Sequence, residues 1–256
     1  MDLSQHITYL KNFPFSYKCF SPYLHWFEKQ PEASQDDNDL ILTLLERNDE
    51  SLKKLESRLI SSHEILGLSE KEFLSVFGFN NDLLTLDHEK VHDILAEPIL
   101  VINMTEHGFE KIKKLPRFIK HQGSKIASAD FTAERSGKKY AIELKTVRME
   151  NKPKPVPGKP TGNSRIPYWW GIMFRNNLIT KIEDKDQLVI KQLMNTKQHF
   201  ACDYTMLAFY TRRFGPSVLM ETDDYVKEIT EIKKKYKEID FVFVINYFGQ
   251  VFVIPN

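Results

Sequence analysis

The stretch SADFTAERSGKKYAIELKTV, residues 128–147, decides how this chain folds. Two runs of strand character, 124–134 and 138–147, are separated only by a few residues around Ser136 and Gly137, which is a hairpin signal. A turn centred between Ser136 and Gly137 pairs Arg135 with Lys138 and, counting outward, Asp130 with Glu143. The same register sets Thr132 against Ala141 and Ser128 against Lys145 on a polar face, with Phe131 against Ile142 and Ala133 against Tyr140 on an apolar one. Side chains alternate along a strand, so Glu143 and Lys145 leave one face while Ile142 and Leu144 leave the other.

Directly opposed residues have Cβ atoms about 4.5–5.5 Å apart, where two carboxylates repel unless a cation lies between them. A hard divalent ion such as Mg²⁺, for which Mn²⁺ substitutes, takes oxygen ligands, polarises phosphoryl oxygens and lowers the pKa of a bound water. Asp130 and Glu143 are therefore the expected metal ligands. Lys145, on the same side of the strand as Glu143, is the expected catalytic lysine, acting on the attacking water or on phosphate charge. The plain alternative is an exposed sheet face carrying a cross-strand ion pair.

The triplet acid-x-Lys is not specific in itself, since it begins at Glu143, Glu150, Glu183 and Glu231. Context separates them. Glu150 and Glu183 fall in or beside polar segments, Glu231 falls in a Lys- and Glu-rich helix, and only Glu143 is flanked by apolar strand residues.

Outward from the hairpin, residues 87–104 read as a helix with Pro98 as a bend or restart, and 1–86 as a mainly helical amino-terminal segment with helix starts at Asp49 and Ser69. Downstream, a Pro- and Lys-rich loop over 148–168 precedes a helix over 186–199, a strand over 206–212, a helix over 223–237 and strands over 241–247 and 251–254. The expected organisation is an amino-terminal segment, 1–86, and an α/β domain, 87–256.

The loop holds Arg148, Lys152, Lys154, Lys159 and Arg165 directly after the active strand, a placement suited to tracking a phosphate backbone. Trp169 and Trp170 are candidates for stacking on bases, with core packing as their alternative.

A net charge of +1 excludes a protein whose whole surface traps polyanions, so such contacts must be local. Cys19 and Cys202 form no CxxC pair, and the longest apolar run is too short and too interrupted for a membrane helix. With no leader-like amino terminus, a cytoplasmic protein is expected. His88 and His92 share helical spacing but lack a third ligand, so zinc is not expected.

SADF at 128–131 and IELK at 142–145 resemble the signature of the PD-(D/E)XK nuclease superfamily, with Ala129 standing where a proline often precedes the first Asp. That resemblance implies a restriction-endonuclease-like mixed central sheet flanked by helices, Mg²⁺-dependent hydrolysis of DNA (RNA being the other substrate), and Asp130, Glu143 and Lys145 as the site. HEKVHDILAEPIL at 88–100 is similar to a helix of Shedu-type defence nucleases, which implies Glu89 as a further acid, with Glu97, Glu106 and Glu110 as rivals. It also implies a helix-borne Gln or Lys after the active strand, here Gln192 or Lys191, and a setting in prokaryotic defence, as a homo-oligomer or part of a larger complex. The competing expectation is a catalytically silent nuclease-like subunit that binds nucleic acid or assembles a complex. A further alternative is a helical interaction protein in which 1–86 binds a partner and the sheet is scaffold.

Overall fold

The computed structural model describes residues 3–27, 29, 49–79, 88–121, 123–147, 166–211, 222–245 and 251–254. The chain divides by compactness into two units that meet between Ile102 and Asn103. That junction falls inside a helix that begins directly after the boundary expected from sequence.

The amino-terminal unit is helical: α1 (Leu3–Leu10), α2 (Pro14–Phe27), α3 (Asp49–Leu66), α4 (Glu70–Val76) and the start of α5 (His88–Glu106). Helix starts expected at Asp49 and Ser69 are both found, and Ser69 caps α4 in a reciprocal capping box with Glu72. The first turn of α2 has no capping side chain of its own. Glu56 of α3 serves instead, accepting from Phe15 N at 2.9 Å and from Ser16 N and Oγ at 2.6 Å. Phe73 is fully buried, with the rings of Phe15, His63, Phe77 and Phe79 around it. Pro98, expected to bend or restart its helix, is accommodated inside α5 as one element.

The second unit is a mixed α/β fold. Its strands are β1 (Glu110–Lys114), β2 (Phe118–His121), β3 (Ser124–Ala127), β4 (Phe131–Arg135), β5 (Lys138–Val147), β6 (Tyr204–Thr211), β7 (Phe241–Ile245) and β8 (Val251–Ile254). Six form one sheet in the order β1-β4-β5-β6-β7-β8, and β2 with β3 forms a separate ribbon. Pairing is antiparallel from β1 through β5, parallel from β5 through β7, and antiparallel again to β8. The parallel steps run through α6 (Ile166–His199) and α7 (Thr222–Lys235). Both helices pack on one sheet face, where Ile182, Val189, Leu193, Ile229 and Ile232 meet Leu207, Phe209, Val242 and Val244. The opposite face is lined by Phe131, Ile142, Met206 and Phe243, with the rings of His107 and Phe109 edge-on to Phe243.

The hairpin register is the expected one from Phe131↔Ile142 to Arg135↔Lys138. Its two-residue turn carries positive φ at both Ser136 (50°) and Gly137 (72°), the mirror-image turn whose twist matches the flanking strands. Sequence reading extended the first strand over 124–134. The structure breaks it, with Ser128, Ala129 and Asp130 outside any strand and β3 paired only with β2. Two strands, β1 and β2, had no sequence expectation, because in EKIKK and FIKH only Ile112 and Ile119 are buried and the apolar alternation is nearly absent. The helix expected from residue 186 begins at Ile166, and Gln187 within it has φ of 59°, so the sequence pattern marks the regular stretch after that irregularity. Glu183, expected near a polar loop, accordingly lies on a helix, ion-paired with Lys235.

No helix among the described residues is long and apolar enough to cross a membrane. Cys19 and Cys202 are buried free thiols, and burial pushes Cys202 up to about 11.

The turn yields a stability test. Replacing Ser136 by Asn, which tolerates a left-handed backbone, should stabilise the protein by a few tenths of a kcal/mol, whereas Gly137→Val should destabilise it by about 1–2 kcal/mol. Urea unfolding of the two variants checks this, and equal effects would mean that the turn does not hold these dihedral angles.

Candidate active site

Glu143 sits in the middle of β5, between β4 and β6. Its parallel partner is Leu207 and that of Lys145 is Phe209, and both partners belong to the helix-covered core. Glu143 and Lys145 therefore do share a face, as the alternation requires. That face is not open, however: Glu143 is 1% exposed, which removes the reading of a solvated surface ion pair.

Its carboxylate is only half satisfied. Oε1 accepts from Lys145 Nζ, while Oε2 is buried without a hydrogen-bond partner among the described residues. Burial pushes Glu143 up to about 8, aided by the charge of Asp130 and opposed by Lys145 and then Lys114. Desolvation thus outweighs the lysine in direct contact.

Asp130 lies one residue before the β4 ladder. Its expected strand pairing with Glu143 is replaced by a side-chain contact: Oδ2 accepts from Leu144 N at 2.9 Å, and Oδ1 pairs with Lys114 at 3.2 Å. The physical cause is the departure of the backbone toward α6. Ala129 N donates to Thr196 Oγ1 at 2.7 Å, Gln192 Nε2 donates to Ser128 O at 3.0 Å, and Asn195 Nδ2 donates to Ala127 O at 3.0 Å. Three consecutive residues are thereby held by one helix. Ser128, expected opposite Lys145, instead bonds through its N–H to Arg117 O at 3.1 Å and through its hydroxyl to Pro116 O.

Gln192 lies on α6, the helix that follows β5, and there it holds a main-chain oxygen, that of Ser128, two residues before Asp130. Its Oε1 is buried without a partner among the described residues. Lys191, its rival, is exposed on the same helix. Glu89 lies in the part of α5 that belongs to the amino-terminal unit, and its side chain falls outside the described residues. The loop cations Arg148, Lys152, Lys154, Lys159 and Arg165 also lie outside them, and Trp169 and Trp170 are described only as backbone of α6. Sequence reading missed Lys114, hidden in a lysine-rich strand, and the α6 residues Asn195 and Thr196, whose roles exist only through packing.

No three of His, Cys, Asp and Glu gather at one point among the described residues, so no zinc-type cage is present there. Two carboxylates suffice for Mg²⁺, which keeps several of its waters. The unpartnered Glu143 Oε2 and the hard-oxygen character of the pair fit such an ion. The chain matches no protein-family model, no curated protein and no solved structure, so the chemistry must be read from its own residues.

Glu143 should make stability pH-dependent in the absence of metal. The folded protein keeps its proton up to about pH 8, whereas an exposed glutamate releases it near 4.5. The associated stability is complete below the lower value and is lost as pH rises through the higher one, at up to about 1.4 kcal/mol per pH unit. Glu143→Gln removes this dependence. Its thermal midpoint in EDTA should therefore gain on wild type between about pH 5 and 8, and parallel curves would show that Glu143 is not desolvated.

Proposed function

We propose that this chain is a metal-dependent endonuclease of the PD-(D/E)XK kind that hydrolyses DNA phosphodiester bonds, working in the cytoplasm in prokaryotic defence against phage or plasmid. The observation that carries the reading is the Glu143 carboxylate. It is buried on a central strand, has one oxygen without a partner among the described residues, lies beside Asp130 and is touched by Lys145. A protein gains no stability from such an arrangement, since an unsatisfied buried acceptor costs about 1–3 kcal/mol.

Asp130 and Glu143 are the residues that would hold Mg²⁺ or Mn²⁺, which supplies polarisation of a phosphoryl oxygen and a bound water of lowered pKa. Lys145, about a quarter exposed, combines contact with Glu143 and access to solvent. From there its ammonium donates to the attacking water or to a non-bridging phosphate oxygen, offsetting the charge that builds on phosphorus. Lys114 holds Asp130 from the opposite side and fixes its second oxygen on Leu144 N. Gln192 and Thr196 keep the preceding backbone in place, so the carboxylate is oriented before substrate arrives. Cutting both strands of a duplex takes two such sites, which favours a homo-oligomer.

One observation favours the silent alternative: each carboxylate already touches a lysine, as a purely structural charge cluster would. The reaction itself separates the readings. Plasmid, linear and single-stranded DNA and RNA are incubated with Mg²⁺, Mn²⁺ or EDTA. Cleavage of DNA is expected with either metal and not with EDTA, and Asp130→Asn, Glu143→Gln and Lys145→Ala should each lose about 100-fold or more. A protein that cuts nothing with any metal would establish the silent subunit instead, and a Lys145→Ala variant as active as wild type would remove Lys145 from the proposed chemistry.

A further inference from the structure

The β2–β3 ribbon stands directly upstream of Asp130 and is separate from the main sheet. From Lys111 to Ala129 the chain carries six basic residues and no acidic one, in a protein of net charge +1. Lys111 and Lys114 are engaged with Glu134 and Asp130. Lys113, Arg117, Lys120 and Lys125 are exposed, and none forms an ion pair with a described residue.

The pleat sorts the ribbon into two faces. Register pairs Phe118 with Ala127, Ile119 with Ile126, Lys120 with Lys125 and His121 with Ser124. Ile119, at 7% exposure, and Ile126 therefore share an inner face, while Phe118, at 42%, shares the outer face with Lys120 and Lys125. The inner side is tied to α6 through Asn195 and through the ring nitrogens of His121 and His199, 3.2 Å apart.

The outer face is costly as it stands. Two lysines directly opposite across a ribbon repel, and a large aromatic ring is left open to water. Over that ring lie Lys125 Nζ at 5.0 Å and Arg117 Cζ at 5.4 Å from its centroid, cations that a phosphate would draw outward to open the ring to a base. An aromatic face ringed by cations has the chemistry of a stacked base between its flanking phosphates. Asp130 lies only three positions beyond Ala127, at most about 10 Å of chain. A strand lying on the ribbon therefore reaches the carboxylates within about three phosphates.

We propose that the outer face of the β2–β3 ribbon, through Phe118, Arg117, Lys120 and Lys125, is a binding site for a single strand of DNA leading into the Asp130–Glu143–Lys145 site. Phosphates ride on the cations and a base stacks on Phe118. The identity of this ligand rests on the nuclease reading, yet the two can fail separately.

The test is fluorescence anisotropy of the full chain with a labelled, roughly 20-nucleotide single strand and with its duplex, in EDTA, between about 50 and 200 mM salt. Lys120→Gln/Lys125→Gln should weaken single-strand binding roughly tenfold and reduce the slope of log affinity against log salt by about 1.4. Phe118→Ala should weaken it roughly tenfold with the slope unchanged. The exposed pair Lys227→Gln/Lys237→Gln serves as a charge control and should change neither. Thermal melting at or above wild type for the double ribbon variant establishes that it folds, since it removes a like-charged pair. Wild type that binds no single strand, ribbon variants that bind as wild type does, or a control that loses as much would each overturn the proposal. Ribbon-dependent binding without cutting under any metal leaves the ribbon standing and removes the nuclease reading. Cutting with ribbon-independent binding does the reverse.

Discussion

A buried carboxylate on a central strand governs the second unit of this protein. Glu143 occupies the middle of β5, between a strand that pairs antiparallel and one that pairs parallel, on the face that α6 and α7 close. Desolvating an ionised carboxylate has an effective cost of several kcal/mol, and one lysine contact does not remove it. The group consequently favours its proton, and its second oxygen finds no donor among the described residues. Stability alone would select an apolar residue at this position, as at neighbouring Ile142 and Leu144.

The chain leaves the sheet just before Phe131, beside Glu143, and so places Asp130 outside the ladder. The β4 ladder begins at Phe131 rather than at Asp130, because α6 takes the preceding backbone groups for itself through Gln192, Asn195 and Thr196. Asp130 is then fixed by the free N–H of Leu144 on one side and Lys114 on the other. A regular strand would have spent that N–H on a main-chain carbonyl. The helix that covers the core thus also fixes the backbone that leads into Asp130. The same departure of the backbone frees β2 and β3 to form their own ribbon.

Much of the hairpin was legible from local pattern. Alternation along 138–147 and a two-residue turn with a glycine determine register, and register determines which side chains share a face, because the strand period is two. The helix start at Ser69 was legible for a similar reason, since capping chemistry acts over three or four residues. Strands β1 and β2 were not legible: each buries one isoleucine, and lysines occupy the rest of what a pattern would need. The break at 128–130 was invisible too, because the hydrogen bonds that cause it come from residues more than 60 positions away.

The sequence by itself determined the hairpin, the common face of Glu143 and Lys145, and the choice of Glu143 over three other acid-x-Lys triplets, all of which follow from period-two geometry and immediate neighbours. Only the tertiary structure decided that this face is buried, that one oxygen of Glu143 has no partner among the described residues, that Asp130 is held by its side chain rather than by strand pairing, and that Lys114 joins it. Burial depends on which helix the chain lays across the sheet, and α6 arrives there after a long connection. Dielectric environment and long-range hydrogen bonding, which set the charge state of a carboxylate, are properties of that packing and have no local signature in the chain.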